Sequence, residues 1–282
     1  MELVIISGKG GTGKTTIASS LVHLSKAKYV ADCDVDAPNM YLMYEGKDID
    51  SEMFSGEKKA RIDENLCISC GKCEKVCEYN AIKNNRIIEN KCEGCGACTY
   101  VCPTKAISLD SIKNAEIMVT ESGNKFISRA TMEIGSDGSG RLISKIREKN
   151  EKINKDNELT IIDGSPGIGC SVIASITNVD IALIVTEPTL SGLNDLKRIA
   201  KVCNHFKVKA LVCINKYSIN EKIAKTIEEY CSDNNIKIIG KISYDDLVMK
   251  SINELKPIVF YENSVANKEI REMWQDIKAE LA

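Results

Sequence analysis

Short apolar runs alternate with amphipathic stretches along this chain. Residues 2–7 (ELVIIS) read as a buried strand, and the apolar-periodic stretch Ile17–Leu24 reads as a helix. Residues 28–31 lead as a second strand into Asp-Cys-Asp. Strand, glycine-rich loop, helix and strand open a βαβ unit. Further buried strands are predicted at 159–163, 182–187, 210–215 and 236–240, with helical stretches near 169–178, 191–205 and 220–233. That alternation predicts an α/β fold: a mainly parallel sheet covered by helices on both faces. Residues 116–132 predict a hairpin turning at Ser122-Gly123-Asn124, and the charged stretch 141–158 predicts a helix. The C-terminal segment 269–282 predicts a mixed-charge amphipathic helix whose apolar face packs on the core.

Residues 58–112 break the pattern. They lack long apolar runs and hold eight of the thirteen cysteines. Cys67-Ile-Ser-Cys70-Gly-Lys-Cys73 repeats 25 residues later as Cys92-Glu-Gly-Cys95-Gly-Ala-Cys98. Each triplet is followed by a further cysteine (Cys77, Cys102) and then by Ala-Ile. The expected organisation is therefore a discontinuous larger domain, 1–57 with 113–282, carrying a small inserted domain, 58–112.

Charge and hydropathy narrow the function classes. The formal net charge is -2, so no basic excess drives nucleic-acid binding. No apolar run reaches the roughly 18–20 residues that span a bilayer. The N-terminus runs straight into a glycine-rich loop, unlike a signal or transit peptide. The expectation is a soluble, cytoplasmic protein with no nucleic-acid partner and no stable membrane insertion. In such a setting a dense cysteine cluster points to metal rather than to disulfides.

Gly8-Lys9-Gly10-Gly11-Thr12-Gly13-Lys14-Thr15 matches G-x-x-x-x-G-K-[ST] in full, after a strand and before a helix. Glycines let the backbone curl so that N–H groups face phosphate oxygens. Gly8, Gly10, Gly11, Thr12, Gly13, Lys14, Thr15 and Thr16 are thus the candidate nucleotide-binding residues. Lys14 is expected to reach the β- and γ-phosphates of ATP or ADP, and the Thr15 hydroxyl to bind Mg²⁺.

Lys9, directly after the first glycine, makes the loop similar to the deviant Walker A of the MinD/ParA superfamily of P-loop ATPases. The resemblance implies a SIMIBI-type NTPase fold, ATP hydrolysis, and a homodimer formed on ATP binding, with Lys9 completing the partner's site. Asp32-Cys33-Asp34-Val35-Asp36-Ala37-Pro38-Asn39 resembles switch I, where Asp34, and after it Asp36, is the candidate to orient water or hold Mg²⁺ through water. Asp163-Gly164-Ser165-Pro166-Gly167 resembles Walker B and switch II. There Asp163 is implied to bind a Mg²⁺ water, and the Gly167 N–H to contact the γ-phosphate. Asn215 resembles the adenine-reading asparagine. All lie at carboxyl ends of strands, the edge where parallel α/β sheets bind ligands.

The second cysteine unit, ending Cys102-Pro103, has the bacterial ferredoxin spacing; the first keeps the spacing but has Glu78 in place of proline. Two-cluster ferredoxins cross their fourth cysteine over. By that pattern Cys67, Cys70, Cys73 and Cys102 hold one 4Fe–4S cluster, and Cys92, Cys95, Cys98 and Cys77 the other. Structural zinc, the competing chemistry, shows pairs rather than triplets of C-x2-C. Together with ADCDVDAPN, IIDGSPGIGC and VTEPTLSGLNDLKR, this resembles MinD-like ATPases with an inserted two-cluster, α+β, bacterial-ferredoxin-like domain. Three functions stay open at this point: ATP-gated electron transfer to a redox partner, maturation or metal insertion into a metalloprotein partner, and a redox-sensing assembly switch. Cys170 resembles in position a cysteine of the nitrogenase iron protein, but its companion ligand is missing, and packing at a helix start is the plainer role. Cys203, Cys213 and Cys231 read as core, and His23 and His205, in predicted helices, as packing or surface residues. Cys33 has no visible partner.

Overall fold

The computed structural model describes residues 1–133, 136 and 139–281. The chain divides into two compact units. Among the described residues, the first comprises Met1–Ser51, Ile117–Thr131 and the chain from Ser139 onward; the second is Glu52–Glu116 with Met132 and Glu133.

In chain order the regular elements begin with β1 (Glu2–Ser7), α1 (Lys14–Ser25), β2 (Tyr29–Asp32) and β3 (Lys47–Phe54). Within the second unit come β4 (Glu57–Ile62), α2 (Lys72–Val76), β5 (Ile82–Lys83), β6 (Arg86–Ile87), α3 (Ala97–Val101) and β7 (Ile107–Ile112). The chain then runs through β8 (Ala115–Ser122), β9 (Lys125–Met132), α4 (Gly140–Ile153), β10 (Thr160–Pro166), α5 (Cys170–Ile176), β11 (Ile181–Thr186) and α6 (Leu190–His205). It closes with β12 (Lys209–Asn215), α7 (Glu221–Asp233), β13 (Lys237–Ile242), α8 (Leu247–Asn253) and α9 (Val265–Leu281).

The main sheet has the order β13-β12-β11-β1-β10-β2-β9-β8-β3, parallel from β13 through β9. β1 lies between β10 and β11, and Leu3, Val4, Ile5 and Ile6 are all fully buried, as a strand covered on both faces requires. On one face Leu3, Ile5, Ile161 and Leu183 pack with Ile17 and Leu21 of α1 and with Ile270, Trp274 and Ile277 of α9. α4 and α5 pack together against β2 and β10 and bury Leu142, Ile143 and Ile146. The expected hairpin 116–132 forms as β8 and β9.

Among the elements that differ from the sequence reading are the helices at 141–158 and 269–282 and strand β3. The helix expected over 141–158 stops at Ile153, because the Asn154 amide accepts the Glu158 N–H at 3.0 Å and donates to the Glu158 carbonyl at 2.8 Å, closing a turn. The C-terminal helix starts earlier, at Val265. Strand β3 was not foreseen: seven of its eight residues are exposed, so it has no apolar alternation to read.

In the second unit β4 pairs antiparallel with β7, and β5 with β6. This unit reaches beyond 58–112 because Asn114 ties its ends. The Phe54 carbonyl accepts the Asn114 N–H at 3.0 Å, the Asn114 side chain accepts the Gly56 N–H at 2.9 Å, and its amide donates to Glu57 at 2.9 Å. The sequence repeat is also a structural one. α3 follows α2 by the repeat length, and the left-handed residues fall in register: Ser69 with Gly94, Gly71 with Gly96, Asn80 with Lys105. Gly71 and Gly96 each precede a helix at φ 68° and 80°, where a side chain would be strained.

Candidate functional site

The loop after β1 has the properties of an anion cradle. Gly11 and Gly13 hold φ 78° and 88°, and a β-carbon on Gly13 would meet the Asn215 amide nitrogen at 2.3 Å. No side chain caps the N-terminus of α1. That leaves first-turn N–H groups and the positive helix end for a negatively charged ligand. The Thr12 hydroxyl is buried without a hydrogen-bond partner.

Lys14 is buried and folds back onto carboxylates. Its Nζ lies 2.5 Å from Asp163 Oδ1 and 3.2 Å from Asp34 Oδ2. Burial alone would depress its pKa, but Asp163 and Asp34 outweigh that and raise it. Thr15 Oγ1 donates to Asp163 Oδ2 at 2.7 Å. Burial raises the Asp163 carboxyl, against the pull of Lys14. Asp32, fully buried beside it, is pushed up to about 8 by burial and by the Asp163 charge.

The switch-I-like segment thus sorts its three acids. Asp32 accepts the N–H groups of Asp34 at 3.2 Å and Met40 at 3.1 Å and shapes the loop. Asp34 reaches Lys14, and Asp36 is exposed. The Gly167 N–H, expected toward a γ-phosphate, here donates to the Ser7 carbonyl at 2.8 Å. Asn215 Nδ2 donates to the Thr12 carbonyl at 2.7 Å, and its Oδ1 accepts the Lys216 N–H at 3.0 Å, so the residue braces the loop from below.

Sequence reasoning missed Glu187, immediately after β11. Its carboxylate joins Lys216 Nζ at 2.7 Å and Lys9 Nζ at 3.1 Å. The missed signal was its position: like Asp32, Asp163 and Asn215, it stands at the carboxyl end of a parallel strand. Asp195 was missed as well; a β-carbon on Gly8 would lie 2.1 Å from its Cβ, so Gly8 gives α6 room against the loop.

The second unit contains two cavities. Cys77, Cys92, Cys95 and Cys98 line one, and Cys67, Cys70, Cys73 and Cys102 the other. Backbone N–H groups point at sulfur: Ala81 to Cys77, Ala106 to Cys102 and Ala60 to Cys92, each at 3.3 Å. The first two are equivalent positions of the repeat. None of the thirteen cysteines is joined in a disulfide. Burial raises the pKa of Cys73 and Cys98, despite backbone N–H bonds that oppose it. Among the described residues, no three His, Cys, Asp or Glu side chains form a group that could hold a single metal ion. The four cysteines of each set line one cavity. Elsewhere, Cys170 is exposed at the start of α5, and Cys33, Cys203, Cys213 and Cys231 are buried. His23 packs on Phe260 with ring centroids 4.4 Å apart, and His205 lies edge-on to Phe206.

The CobQ/CobB/MinD/ParA nucleotide binding domain profile matches residues 3–258. The chain belongs to this family. An uncharacterized protein of Methanocaldococcus jannaschii is 36% identical over 282 residues, 99% of this chain and 96% of its own length. An uncharacterized ATP-binding protein of the same organism is 28% identical over 284 residues, covering 97% and 96%. Among solved structures, the septum site-determining protein MinD of Pyrococcus horikoshii, complexed with Mg-ADP, shares the fold with a TM-score of 0.61. That match covers 100% of this chain and 98% of the other at 17% identity. Within this CobQ/CobB/MinD/ParA member the residues fit a nucleotide on their own terms: an uncapped helix N-terminus, an orphaned Thr12 hydroxyl and three lysines surround one glycine loop. Thr15 and Asp163 supply adjacent oxygen donors, the kind a hard cation takes. No described helix is long and apolar enough to cross a membrane.

Proposed function

We propose that this protein is a Mg²⁺-dependent ATPase whose nucleotide cycle is coupled to electron transfer, through two 4Fe–4S clusters, to a partner protein. The observation that carries the iron–sulfur half is the pairing of cysteines round the two cavities. Each is lined by three cysteines of one repeat and the fourth of the other, as a crossed two-cluster ferredoxin requires. Four cysteines lining one cavity suit a cluster with one thiolate per iron, and N–H···S bonds are the donors that such thiolates need. The sets are Cys67, Cys70, Cys73 and Cys102 for one, and Cys77, Cys92, Cys95 and Cys98 for the other. The clusters, when bound, supply one-electron reduction and oxidation.

The ATPase half rests on the family and on the charge arrangement at the loop. Thr15, and Asp163 through a water, would hold Mg²⁺, which offsets phosphate charge. Lys14, already cationic and buried, leaves Asp163 and Asp34 for the phosphates when nucleotide enters. Asp34, released from Lys14, becomes free to orient the attacking water. Gly167 must exchange the Ser7 carbonyl for a phosphate oxygen, which moves the segment after β10 with nucleotide state. Two protomers closing on ATP, with Lys9 completing the opposite site, is part of this reading. Firmly held all-cysteine clusters favour electron delivery over donation of the clusters as cargo.

Anaerobic purification with iron and acid-labile sulfide analysis, followed by EPR of the reduced protein with and without Mg-ATP, tests the proposal. The expected result is about eight irons per chain and a spectrum or reoxidation rate that changes on adding nucleotide. Iron-free anaerobic protein refutes the cluster assignment, and spectra and rates indifferent to Mg-ATP refute the coupling.

A further inference from the structure

The carboxylate of Glu187 occupies the cations of the phosphate loop. Lys9 stands on the loop itself and Lys216 just after β12, and Glu187 bridges the two, at 3.1 and 2.7 Å. Lys216 Nζ also donates to the Gly11 carbonyl at 3.3 Å, so the bridge fastens both ends of the segment from Lys9 to Gly11. Glu187 is itself held firmly. Its carbonyl accepts the Thr189 N–H at 2.8 Å, and the Thr189 hydroxyl caps α6 by accepting the Gly192 N–H at 2.9 Å. Burial would raise the Glu187 carboxyl, but hydrogen bonds from Lys216 and Lys9 lower it. It is therefore an anion in the site where a polyanion must bind.

We propose that Glu187 is a positioning residue of the nucleotide site: it holds Lys9 and Lys216 in place of phosphate, and surrenders Lys9 when nucleotide arrives. This rests on the reading of Gly8–Thr16 as a nucleotide site. Two consequences follow from the charges. The empty loop keeps its lysines neutralised instead of mutually repelling, so it stays in the binding conformation. Nucleotide affinity is also lowered, because the incoming phosphates must displace a resident carboxylate and then stand near it. Lys9, with 38% of its side chain exposed, is the cation that can leave; Lys216 has a second tether in the Gly11 carbonyl.

The test is calorimetric titration of Mg-ADP into full-length protein purified anaerobically, for wild type, Glu187→Gln, Lys9→Ala and the double variant, with a thermal melt of each. Glu187→Gln is expected to bind Mg-ADP roughly two- to fivefold more tightly at low salt, the range of partly exposed ion pairs. That gain shrinks at about 0.5 M salt as the charges are screened, and falls when Lys9 is absent. A brace with no electrostatic role gives the opposite sign, so weaker or unchanged binding by Glu187→Gln in a protein that melts normally overturns the proposal. An undiminished gain in the Lys9→Ala background overturns the role given to Lys9. If wild type binds no Mg-ADP, the nucleotide-site reading itself fails, a result distinct from the others.

Discussion

Replacing Lys14 by methionine tests the charge balance at the core of the site. Nζ sits between Asp163 at 2.5 Å and Asp34 at 3.2 Å, with 5% of its side chain exposed against 1% for Asp163. Methionine keeps the volume and removes the charge. Taking one partner out of a buried ion pair costs about 3–5 kcal/mol, because the other charge remains in a medium that solvates it poorly. At about 2–4 °C per kcal/mol for a domain of this size, the melting temperature of the nucleotide-free protein should fall by roughly 6–20 °C. The loss has a pH signature. Asp32 and Asp163 have folded pKa values raised above the unfolded ones, that of Asp32 to about 8. Such groups contribute stability below the unfolded pKa and lose it as pH rises through the folded one. Lys14 pulls both carboxyls down, so its removal lifts them further and the deficit grows from acid to alkaline pH. Trp274, the one tryptophan of the chain, is buried on α9 and reports the first unit alone. Its fluorescence should be followed through melts at pH 5.5 and 8.5. A variant that melts within 2 °C of wild type at both pH values, or whose deficit is larger at pH 5.5, refutes the reasoning.

Two further outcomes are expected in the second unit. Cys77→Ser should lower bound iron to about half and remove the same EPR signal as Cys92→Ser, whereas Cys102→Ser should remove the signal lost in Cys67→Ser; pairing of Cys77 with Cys67 instead would mean that the ligands do not cross. Asn114→Ala leaves the Gly56 N–H without its acceptor, while Glu57 keeps Lys59, and should destabilise the base of the unit by about 1 kcal/mol. Faster amide exchange at Gly56, with the Trp274 melt unmoved, is the expected readout, and wild-type exchange there would show the tie to be dispensable.

Much of this was legible in the sequence because it is written in local spacing. The loop from Gly8 to Thr15 and the two cysteine triplets are contiguous patterns, and buried strands such as β1 announce themselves by unbroken apolar runs. β3 gave no such signal, since an edge strand with exposed residues needs no apolar face. The bridge from Glu187 to Lys9 and Lys216 joins residues far apart in sequence, and only the fold brings them together. The sorting of Asp32, Asp34 and Asp36 was equally hidden. Three acids on alternating positions look alike in sequence, but the backbone turn that follows β2 buries the first, aims the second at Lys14 and leaves the third in solvent.

The tie between Phe54 and Asn114 has a wider consequence. The chain leaves the main sheet on β3 and returns on β8, its neighbour in strand order, and the two ends meet through a backbone hydrogen bond of 3.0 Å. Everything between them is topologically the tip of a hairpin. Closing that loop carries an entropic penalty that grows only slowly with its length, so almost any small fold with adjoining termini could be grafted there, or the present one excised for a two-residue turn. The cysteine-rich segment is thereby a cassette, one that evolution or an engineer can exchange while the nucleotide-binding sheet keeps its strand order.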